Sequence, residues 1–491
     1  MIIRVIAMIA GVSLFACGTP HTTTDEGALT LADPQVDLQG SSGGRAGTIN
    51  VGQPAGGGAD ESAREGTETS VDGDVGDERE QETSAFSVDG ERVACRDNDN
   101  FLSLLPILQG GRTHPTGRGE QASAYDPCHR RIILFGGNDF QPMQCRDSGP
   151  KRFKGDTWIY SIEYDNWARL DTPVAPAARG RHTMAFDDAR KRIYLFGGRY
   201  RPEEEMAGNY TLFGDLWAFD VNTDEWTELI TTGDGPSPRT NTAMVYDDVN
   251  DRLILFGGNV SLSGLQFTPL ADTYVLDLDS LVWSRLRGPS PTKRLFHSMA
   301  IDHWTNEVVL YGGGHEQAFF GDFYNDLWVF NLDDDIWEQR PFAAGPAPDA
   351  RINSALVEDR ARNRILMFAG HDETAVGHRN DVWALDTASG QWSEVSPGDT
   401  GTGEGCARFC SCDPDFVEVD MGSPERRQYH SFVPVHGEGR AILFGGKGDC
   451  GYLDDTWSFD YAKQVWTGVE PAGQGEACRR TGQEGCTDLC Y

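Results

Sequence analysis

Short apolar runs recur along most of the chain, and polar turns separate them. In one stretch, residues 193–196 (Ile-Tyr-Leu-Phe) form a run that ends at Gly197-Gly198, and further apolar segments lie at residues 215–220 and 226–229. Short runs bounded by turn residues predict β-strands. Four such strands in succession, joined by tight links, predict an antiparallel meander.

The same pattern repeats six times with fixed spacing inside each repeat. An arginine stands 18 residues before a doublet of small residues, and after the doublet come an Asp, an aromatic residue two positions on and a Trp nine beyond that. The arginines are Arg118, Arg179, Arg239, Arg294, Arg351 and Arg427. The doublets begin at Gly136, Gly197, Gly257, Gly312, Ala369 and Gly445. The triples are Asp156/Trp158/Trp167, Asp215/Trp217/Trp226, Asp272/Tyr274/Trp283, Asp326/Trp328/Trp337, Asp381/Trp383/Trp392 and Asp455/Trp457/Trp466. Fixed spacing within repeats and variable spacing between them are typical of a repeat architecture.

This repeat resembles the kelch motif, in which a strand ending in Gly-Gly is followed by an aromatic residue and a Trp at set distances. The resemblance covers about residues 112–470, with Ala369 and Tyr274 as departures from the motif. It implies an all-β fold, a six-bladed kelch-type β-propeller of four-stranded antiparallel blades over residues 95–470. The last repeat supplies its own third and fourth strands, so closure of the ring needs no N-terminal strand. Residues 101–108 are apolar enough to dock against the ring.

The first 94 residues differ in composition from the repeats. An apolar run from Val5 to Ala16 is too short to span a bilayer and predicts a signal peptide over residues 1–16. Cys17 follows Leu-Phe-Ala, which resembles a bacterial lipobox and predicts export and a lipid anchor in the outer membrane of a Gram-negative bacterium. Simple cleavage near Ala16, with Cys17 unmodified, is the alternative. Residues 18–94 carry 16 acidic residues against 4 arginines, which predicts a disordered, acidic Gly/Ser/Thr-rich tether over residues 17–94.

The net charge excludes one class of function, and the number of cysteines predicts disulfides. The net charge of −34 argues against nucleic-acid binding, because phosphate contacts require a basic surface. Ten cysteines remain besides Cys17, and an even number in an exported chain favours disulfides. A closed ring would make Cys145 and Cys450 neighbours, and a bridge there would join the first blade to the last. Two or three further bridges are expected where the last long connector meets the Cys-rich tail of residues 471–491, among Cys406, Cys410, Cys412, Cys478, Cys486 and Cys490. A metal site there is the less favoured alternative, and the pairing of Cys95 and Cys128 stays open.

The two faces of the expected propeller differ in loop length. Short turns join strands 1–2 and 3–4 of each blade on one side, here called the turn face. The 2–3 loops and 4–1 connectors lie on the other side, here called the loop face. From the second doublet residue to the motif Asp, the distance falls from 19 to 9 residues across the six repeats. Long, irregular loops on a rigid scaffold usually carry recognition, so we predict that the loop face is functional.

Arginines are the first candidate ligand-binding residues of the loop face. The six repeated arginines precede strand 1 near the central channel, where a ring of guanidinium groups could receive carboxylates. The favoured alternative is structural, because a residue present in every blade usually serves what every blade shares. Arg181 stands outside the repeated position and is a freer candidate. His182, His297 and His430 follow the repeated arginine by three residues and are interpreted as packing at the start of strand 1.

Histidines and carboxylates of blades four and five form the second candidate site. His315 and Glu316 follow one doublet, His371 and Asp372 follow the next, and His378 lies further along. Imidazole and carboxylate together suit a transition metal or an acid–base pair. Solvated loop residues without a ligand are the favoured alternative.

Three functions compete. The favoured one is a non-enzymatic binding scaffold, tethered to the cell envelope, that engages a protein or glycan through the loop face. The second is a carbohydrate-active enzyme similar to the sialic-acid mutarotases, with an Arg/His/Glu site at the channel mouth. The third is a structural envelope protein without a discrete ligand. We expect a monomer held at the membrane by its N-terminal lipid anchor, with no cofactor, no bound metal and no nucleic-acid partner, and fold analogy alone does not choose among the three functions.

Overall fold

The computed structural model describes most of the repeat region and the residues just before it. The described ranges are 93–110, 113–139, 152–202, 209–264, 266–318, 322–372, 377–401, 417–448 and 451–473. All of them belong to one of two contact units of the chain, Asp89–Tyr491. The predicted signal peptide, residues 17–92 of the predicted tether and residues 474–491 of the predicted tail lie outside the described residues. So do Cys17 and the cysteines at positions 145, 406, 410, 412, 450, 478, 486 and 490.

Each repeat folds into a four-stranded antiparallel meander, as predicted. The strands of blades one to three are Ala122–Asp126, Arg131–Phe135, Thr157–Ser161 and Asn166–Leu170; Thr183–Asp187, Arg192–Phe196, Leu216–Asp220 and Glu225–Leu229; and Ala243–Asp247, Arg252–Phe256, Thr273–Asp277 and Val282–Leu286. Those of blades four to six are Ser298–Asp302, Glu307–Tyr311, Leu327–Asn331 and Ile336–Arg340; Ala355–Asp359, Arg364–Asp372, His378–Asp386 and Gln391–Ser396; and Ser431–Val435, Arg440–Lys447, Tyr452–Asp460 and Val465–Glu470. The six-bladed all-β propeller is therefore confirmed.

Shorter elements extend or connect the blades. They are the paired strands Arg199–Tyr200 and Thr211–Leu212, the strand Thr232–Gly233 beside Val282–Leu286, the strand Arg351–Ile352 beside Arg364–Asp372, the paired strands Thr400–Gly401 and Val417–Glu418, and the 3-10 turn Arg360–Arg362.

Strand 2 is the most deeply buried strand of each blade, because adjacent blades cover both of its sides. In blade one, all five residues of Arg131–Phe135 are buried. This explains why strand 2 is an unbroken apolar run instead of an alternating one. The Trp of strand 4 fills the space between blades: Trp226 packs against Phe135 of the preceding blade, with ring centroids 5.3 Å apart. Its indole N–H also donates to Thr157 of that blade at 3.0 Å.

The small doublet ends strand 2 where the chain touches the next blade. Its first residue has a φ of 69° at Gly136, a left-handed conformation that glycine adopts without steric cost. A Cβ on Gly136 would lie 2.6 Å from the carbonyl oxygen of Arg179 in the next blade. Ala369 keeps the same conformation in blade five, with a φ of 58°. The doublet therefore allows backbone contact between neighbouring blades.

The ring closes between blades one and six through the same kinds of contact. Trp167 of the first blade donates its indole N–H to Thr456 of the last at 2.9 Å. The N–H of Gly446 donates to the carbonyl oxygen of Arg118 at 2.8 Å. Blade six contains its own four strands, so the predicted closure without an N-terminal strand is confirmed.

Residues 93–110 form a segment, here called the strap, that contacts the turns of blades one and two. Its helix, Asp99–Gly110, begins after Asn98, whose side-chain oxygen accepts the N–H of Phe101 at 3.0 Å. Leu104 and Leu108 are buried in the apolar cluster between the two blades. The sequence indicated that this apolar stretch docks but gave neither its place nor its helical form.

A disulfide and a backbone hydrogen bond fix the start of the strap. Cys95 is bonded to Cys128 in the 1–2 turn of blade one, with a Cα–Cα distance of 5.3 Å. The N–H of Val93 donates to the carbonyl oxygen of Ala189 in the 1–2 turn of blade two at 2.8 Å. The chain therefore reaches the ring on its turn face.

Removing this disulfide should destabilise the fold. The bond closes a segment with a sequence separation of 33, and closure of a loop of that size is worth about 3–4 kcal/mol. We expect the double variant Cys95→Ser/Cys128→Ser to unfold at a lower urea concentration than the oxidised wild type, with a free energy of unfolding lower by about that amount. Equal midpoints for the two proteins would contradict a stabilising disulfide.

Candidate functional site

Each repeated arginine is buried at the start of strand 1 and pairs with the motif Asp of its own blade. In blade two, Arg179 donates from Nη1 and Nη2 to the two carboxylate oxygens of Asp215, both at 2.7 Å. Nη1 also donates to the carbonyl of Gly197, and Nε to that of Ala177, both at 2.9 Å. The equivalent ion pairs are Arg118–Asp156, Arg239–Asp272, Arg294–Asp326, Arg351–Asp381 and Arg427–Asp455.

The constant two-residue spacing between the motif Asp and the aromatic residue follows from the same ion pair. Trp217 donates its indole N–H to Asp215 at 2.8 Å, two residues back along the chain. Blade three has Tyr274 at this position, and Arg239 lies over its ring at 5.3 Å. All six arginines are at most 1% exposed. These contacts support the structural alternative, and ligand binding by the repeated arginines stays a prediction.

Six residues, each two positions after a repeated arginine, surround the loop-face end of the channel and are here called the lip. They are Glu120, Arg181, Asn241, Phe296, Asn353 and Tyr429. All have a positive φ, between 56° and 64°. Backbone hydrogen bonds join neighbouring blades here: the N–H of Arg181 donates to Glu120 at 2.8 Å, and that of Glu120 to Tyr429 at 3.1 Å. The lip is thus a backbone ring that carries a different side chain from each blade.

Arg181 extends across the lip. Its Nε donates to Glu120 at 2.5 Å, its Nη2 to the Tyr429 hydroxyl at 3.1 Å, and its guanidinium lies 5.0 Å from the Phe296 ring centroid. Burial alone would raise the pKa of Glu120, but Arg181 and Arg199 hold it below its usual value. Arg181 and Arg199 therefore share one buried carboxylate, that of Glu120. Sequence reasoning found Arg181 and missed its partners, although their shared offset from the repeated arginine was a usable signal.

The recurring histidines lie just inside the lip. His182, His297 and His430 line a cavity of about 290 Å³ within the channel. Their rings also contact strand-2 phenylalanines, such as Phe135 at 5.7 Å from His182. Burial, and then the adjacent repeated arginine, lower the pKa of each imidazole to about 3, so all three are neutral. These positions agree with packing at the start of strand 1.

The structure brings together part of the predicted cluster of blades four and five. His371 and His378 face each other on adjacent strands, with ring centroids 5.1 Å apart, and Phe323 of blade four contacts His371 at 5.9 Å. His378 is fully buried and lies 2.9 Å from the side-chain nitrogen of Gln428. Asp372 is buried 3.3 Å from Arg379.

His315 and Glu316 lie apart from these buried groups on the exposed loop of blade four. Glu316 pairs with Lys293 at 3.1 Å, and both side chains are 52% exposed. The ring of His315 lies 6.4 Å from that of Tyr324. Among the described residues, no group of three or more His, Cys, Asp or Glu side chains is arranged to hold a metal ion. Ligand binding at this cluster stays a prediction.

Comparison with known proteins identifies the repeats. The model of the KLHDC2/KLHL20/DRC7 Kelch-repeats domain matches residues 104–286, 190–412 and 325–488. The chain belongs to the kelch-repeat family. Kelch propellers typically bind proteins, so a protein-binding scaffold is the general function that membership supports.

Curated kelch relatives resemble parts of this chain. Acyl-CoA-binding domain-containing protein 4 of Arabidopsis thaliana is 28% identical over 341 residues, which cover 64% of this chain and 45% of the relative. Kelch domain-containing protein 10 of Xenopus tropicalis is 25% identical over 304 residues, which cover 60% of this chain and 65% of the relative. The chain thus spans less than two thirds of the length of these relatives.

At the turn-face end of the kelch channel, side chains of three blades meet around His303. Its Nδ1 lies 2.9 Å from a carboxylate oxygen of Glu358 and its Nε2 3.4 Å from Asp248. Arg360 places a guanidinium nitrogen 2.8 Å from the ring. Burial alone would lower the pKa of His303, but hydrogen bonds to Asp248 and Glu358 raise it to about 9. Sequence reasoning missed this group, because its members belong to different repeats.

Removal of one buried carboxylate should lower the free energy of unfolding substantially. The side chains of Arg351 and Asp381 are both 0% exposed. Asp381→Asn leaves the guanidinium without its counter-charge and should lower the free energy of unfolding by about 3–5 kcal/mol. Glu316→Gln, at the exposed pair with Lys293, is the matched control and should change it by less than about 1 kcal/mol. Urea denaturation measures both, and equal effects would contradict the structural role of the buried pair.

The His303 group should make stability depend on pH. Its folded-state pKa of about 9 lies above the reference value of 6.5, so its contribution is complete below about pH 6.5 and is lost as the pH rises through 9. The pKa values of Asp248 and Glu358 are lowered, so both stay ionised in this window. We expect the free energy of unfolding to fall more steeply between pH 6.5 and 9 in the wild type than in His303→Gln. Parallel pH profiles would refute this coupling.

Proposed function

We propose that this protein is an exported, lipid-anchored kelch scaffold that holds a protein or glycan of the cell envelope against its loop face. The observation that carries the proposal is the unequal construction of the two faces. Every 1–2 and 3–4 turn has four residues, as residues 188–191 and 221–224 do. The 2–3 connections vary instead, from residues 136–156 in blade one to residues 448–451 in blade six. Variable loops on a constant ring are where specificity can change without loss of the fold.

Side chains of the described loop face suit an interface. Arg201 is partly exposed on this face, with its guanidinium 4.4 Å from the ring centroid of Tyr210, which is buried together with Arg199. Arginine is enriched at protein–protein interfaces, because it combines a large apolar surface with polar groups. Lys293 and Glu316 add exposed charges to this face. Lys293 lies three residues before the lip residue Phe296, and Glu316 lies in the 2–3 loop of blade four.

The first described residues lie on the face opposite the one proposed for the partner. Val93 and Cys95 contact the turns of blades one and two, and these turns belong to the turn face.

The carbohydrate-isomerase alternative has less support at the loop-face end of the channel. The guanidinium groups that it would need for a substrate carboxylate already pair with carboxylates of the protein: Arg179 with Asp215, and Arg181 with Glu120. A substrate carboxylate would have to share these guanidinium groups with their buried partners.

Paired charge reversals test the proposed face, and a cysteine variant tests the anchor. In cells, the full chain should fractionate with membranes, and Cys17→Ser should move to the soluble fraction. Chemical cross-linking in intact cells should give a reproducible partner whose yield falls about tenfold in Lys293→Glu, equivalent to about 1.4 kcal/mol of binding.

Lys463→Glu is the matched control for the face. Lys463 is an exposed lysine of the turn face that pairs with Asp460. The Lys463→Glu variant should keep the cross-linked partner. Loss of the partner in Lys463→Glu but not in Lys293→Glu would place recognition on the turn face and contradict the proposal. Membrane retention of Cys17→Ser would refute the lipid anchor.

A further inference from the structure

The turn-face end of the channel opens into a cavity that the proposed scaffold function does not use. Its volume is about 490 Å³, and strand 1 of every blade contributes to its wall. Phe186, Tyr246, Ile301 and Val433 make much of this wall apolar. The size and lining are those of small-molecule sites, which are mostly apolar with a few polar groups that orient the ligand.

Polar groups are concentrated at the mouth of this cavity. The first residue of each 1–2 turn lies there, and these residues are Pro127, Asp188, Asp248, His303, Arg360 and His436. The strands of the ring hold them in register, because every strand 1 is followed by a turn of the same length. The mouth therefore consists of six equivalent backbone positions, one from each blade, that carry chemically different side chains.

Positive and negative charges at the mouth balance. Asp188 pairs with Lys191 at 2.7 Å. His303, whose raised pKa keeps it protonated at neutral pH, lies between Asp248 and Glu358. Arg360 approaches Glu358 at 3.2 Å and is the third cation beside three carboxylates. A balanced mouth favours neither a cation nor an anion, and it carries both hydrogen-bond donors and hydrogen-bond acceptors.

An exposed tryptophan directly follows one of the mouth residues in the chain. Trp304 follows His303 directly and is 65% exposed, and it is the one Trp outside the repeated motif positions. Val249, next to Asp248 in the adjacent blade, is 59% exposed. An exposed Trp offers a flat apolar face together with an N–H donor. Exposed apolar surface with polar groups beside it is typical of a binding site.

The described strap leaves this side of the mouth open. Its contacts are with the turns of blades one and two, through Cys128 and Ala189. Trp304 and Val249 belong to blades four and three. Within the described part of the chain, the strap and the indole therefore occupy different sectors of the turn face.

We propose that the turn-face mouth binds an uncharged pyranose, with the sugar's C–H face on Trp304 and its hydroxyls on the polar ring around His303. A pyranose ring presents C–H groups on its faces, which pack on an indole. Its hydroxyls both donate and accept, so they match a mouth where Asp248 accepts and Arg360 donates. Asp248 and Arg360 are accessible for this, with side chains 42% and 56% exposed. This site lies opposite the loop face and does not depend on the proposed function.

Calorimetric titration of the full chain with maltose, cellobiose, lactose and N,N′-diacetylchitobiose tests the site. We expect saturable binding of at least one disaccharide with a Kd of about 1 mM. Trp304→Ala and Asp248→Asn should each weaken that binding about tenfold or more, and Trp304→Phe should restore part of it, because a smaller aromatic face remains. The far-ultraviolet circular dichroism and the Tm of each variant establish that it is folded.

A loop-face variant is the control. Ile230→Ala removes an apolar side chain that is 77% exposed on a 4–1 connector, and it should leave sugar binding unchanged. The absence of saturable heat with all four sugars up to about 20 mM, more than ten times the expected Kd, would overturn the proposal. Binding that Trp304→Ala does not weaken would overturn it as well. Loss of the cross-linked partner in Lys293→Glu tests the scaffold function separately, so the two proposals can fail independently.

Discussion

One buried ion pair in each blade holds the propeller repeat together. The guanidinium of Arg179 joins three separate segments: the connector before strand 1 through Ala177, the end of strand 2 through Gly197, and the start of strand 3 through Asp215. A guanidinium taken out of water needs every one of these acceptors, since an uncompensated buried charge is strongly destabilising. The pair therefore couples the folding of each blade to the docking of its connector.

The spacing of the repeat follows from this pair, which is why the fold could be predicted from the sequence. Strand 1, a four-residue turn and strand 2 lie between each arginine and its doublet, so that interval is 18 residues in every repeat. The interval from arginine to Asp contains the free 2–3 loop, and it varies from 38 residues at Arg118 to 28 at Arg427. The constant interval spans strands 1 and 2, whose lengths the ring fixes, and the variable interval includes the 2–3 loop, whose length the ring does not fix.

Contacts between repeats could not be predicted in the same way. The lip residue Arg181 was recognisable as an outlier, but its partner Tyr429 is 248 residues away, and no local pattern links the two. His303 meets Glu358 across 55 residues for the same reason. The strap was also ambiguous, because a short apolar stretch that contains Pro106 fits a docked strand as well as the observed helix. The side chains at both ends of the channel come from different repeats, so their positions within each repeat can be read from the sequence but their contacts with one another cannot.

The contacts at the seam between the first and last blades bear on whether the order of the blades along the chain can be permuted. Trp167 reaches Thr456 as Trp226 reaches Thr157, and Gly446 reaches Arg118 as Gly137 reaches Arg179. Since no strand is shared across this seam, the place where the polypeptide begins is not marked in the geometry of the ring. A circularly permuted chain, opened at another inter-blade boundary and joined across this one, would keep every one of these contacts.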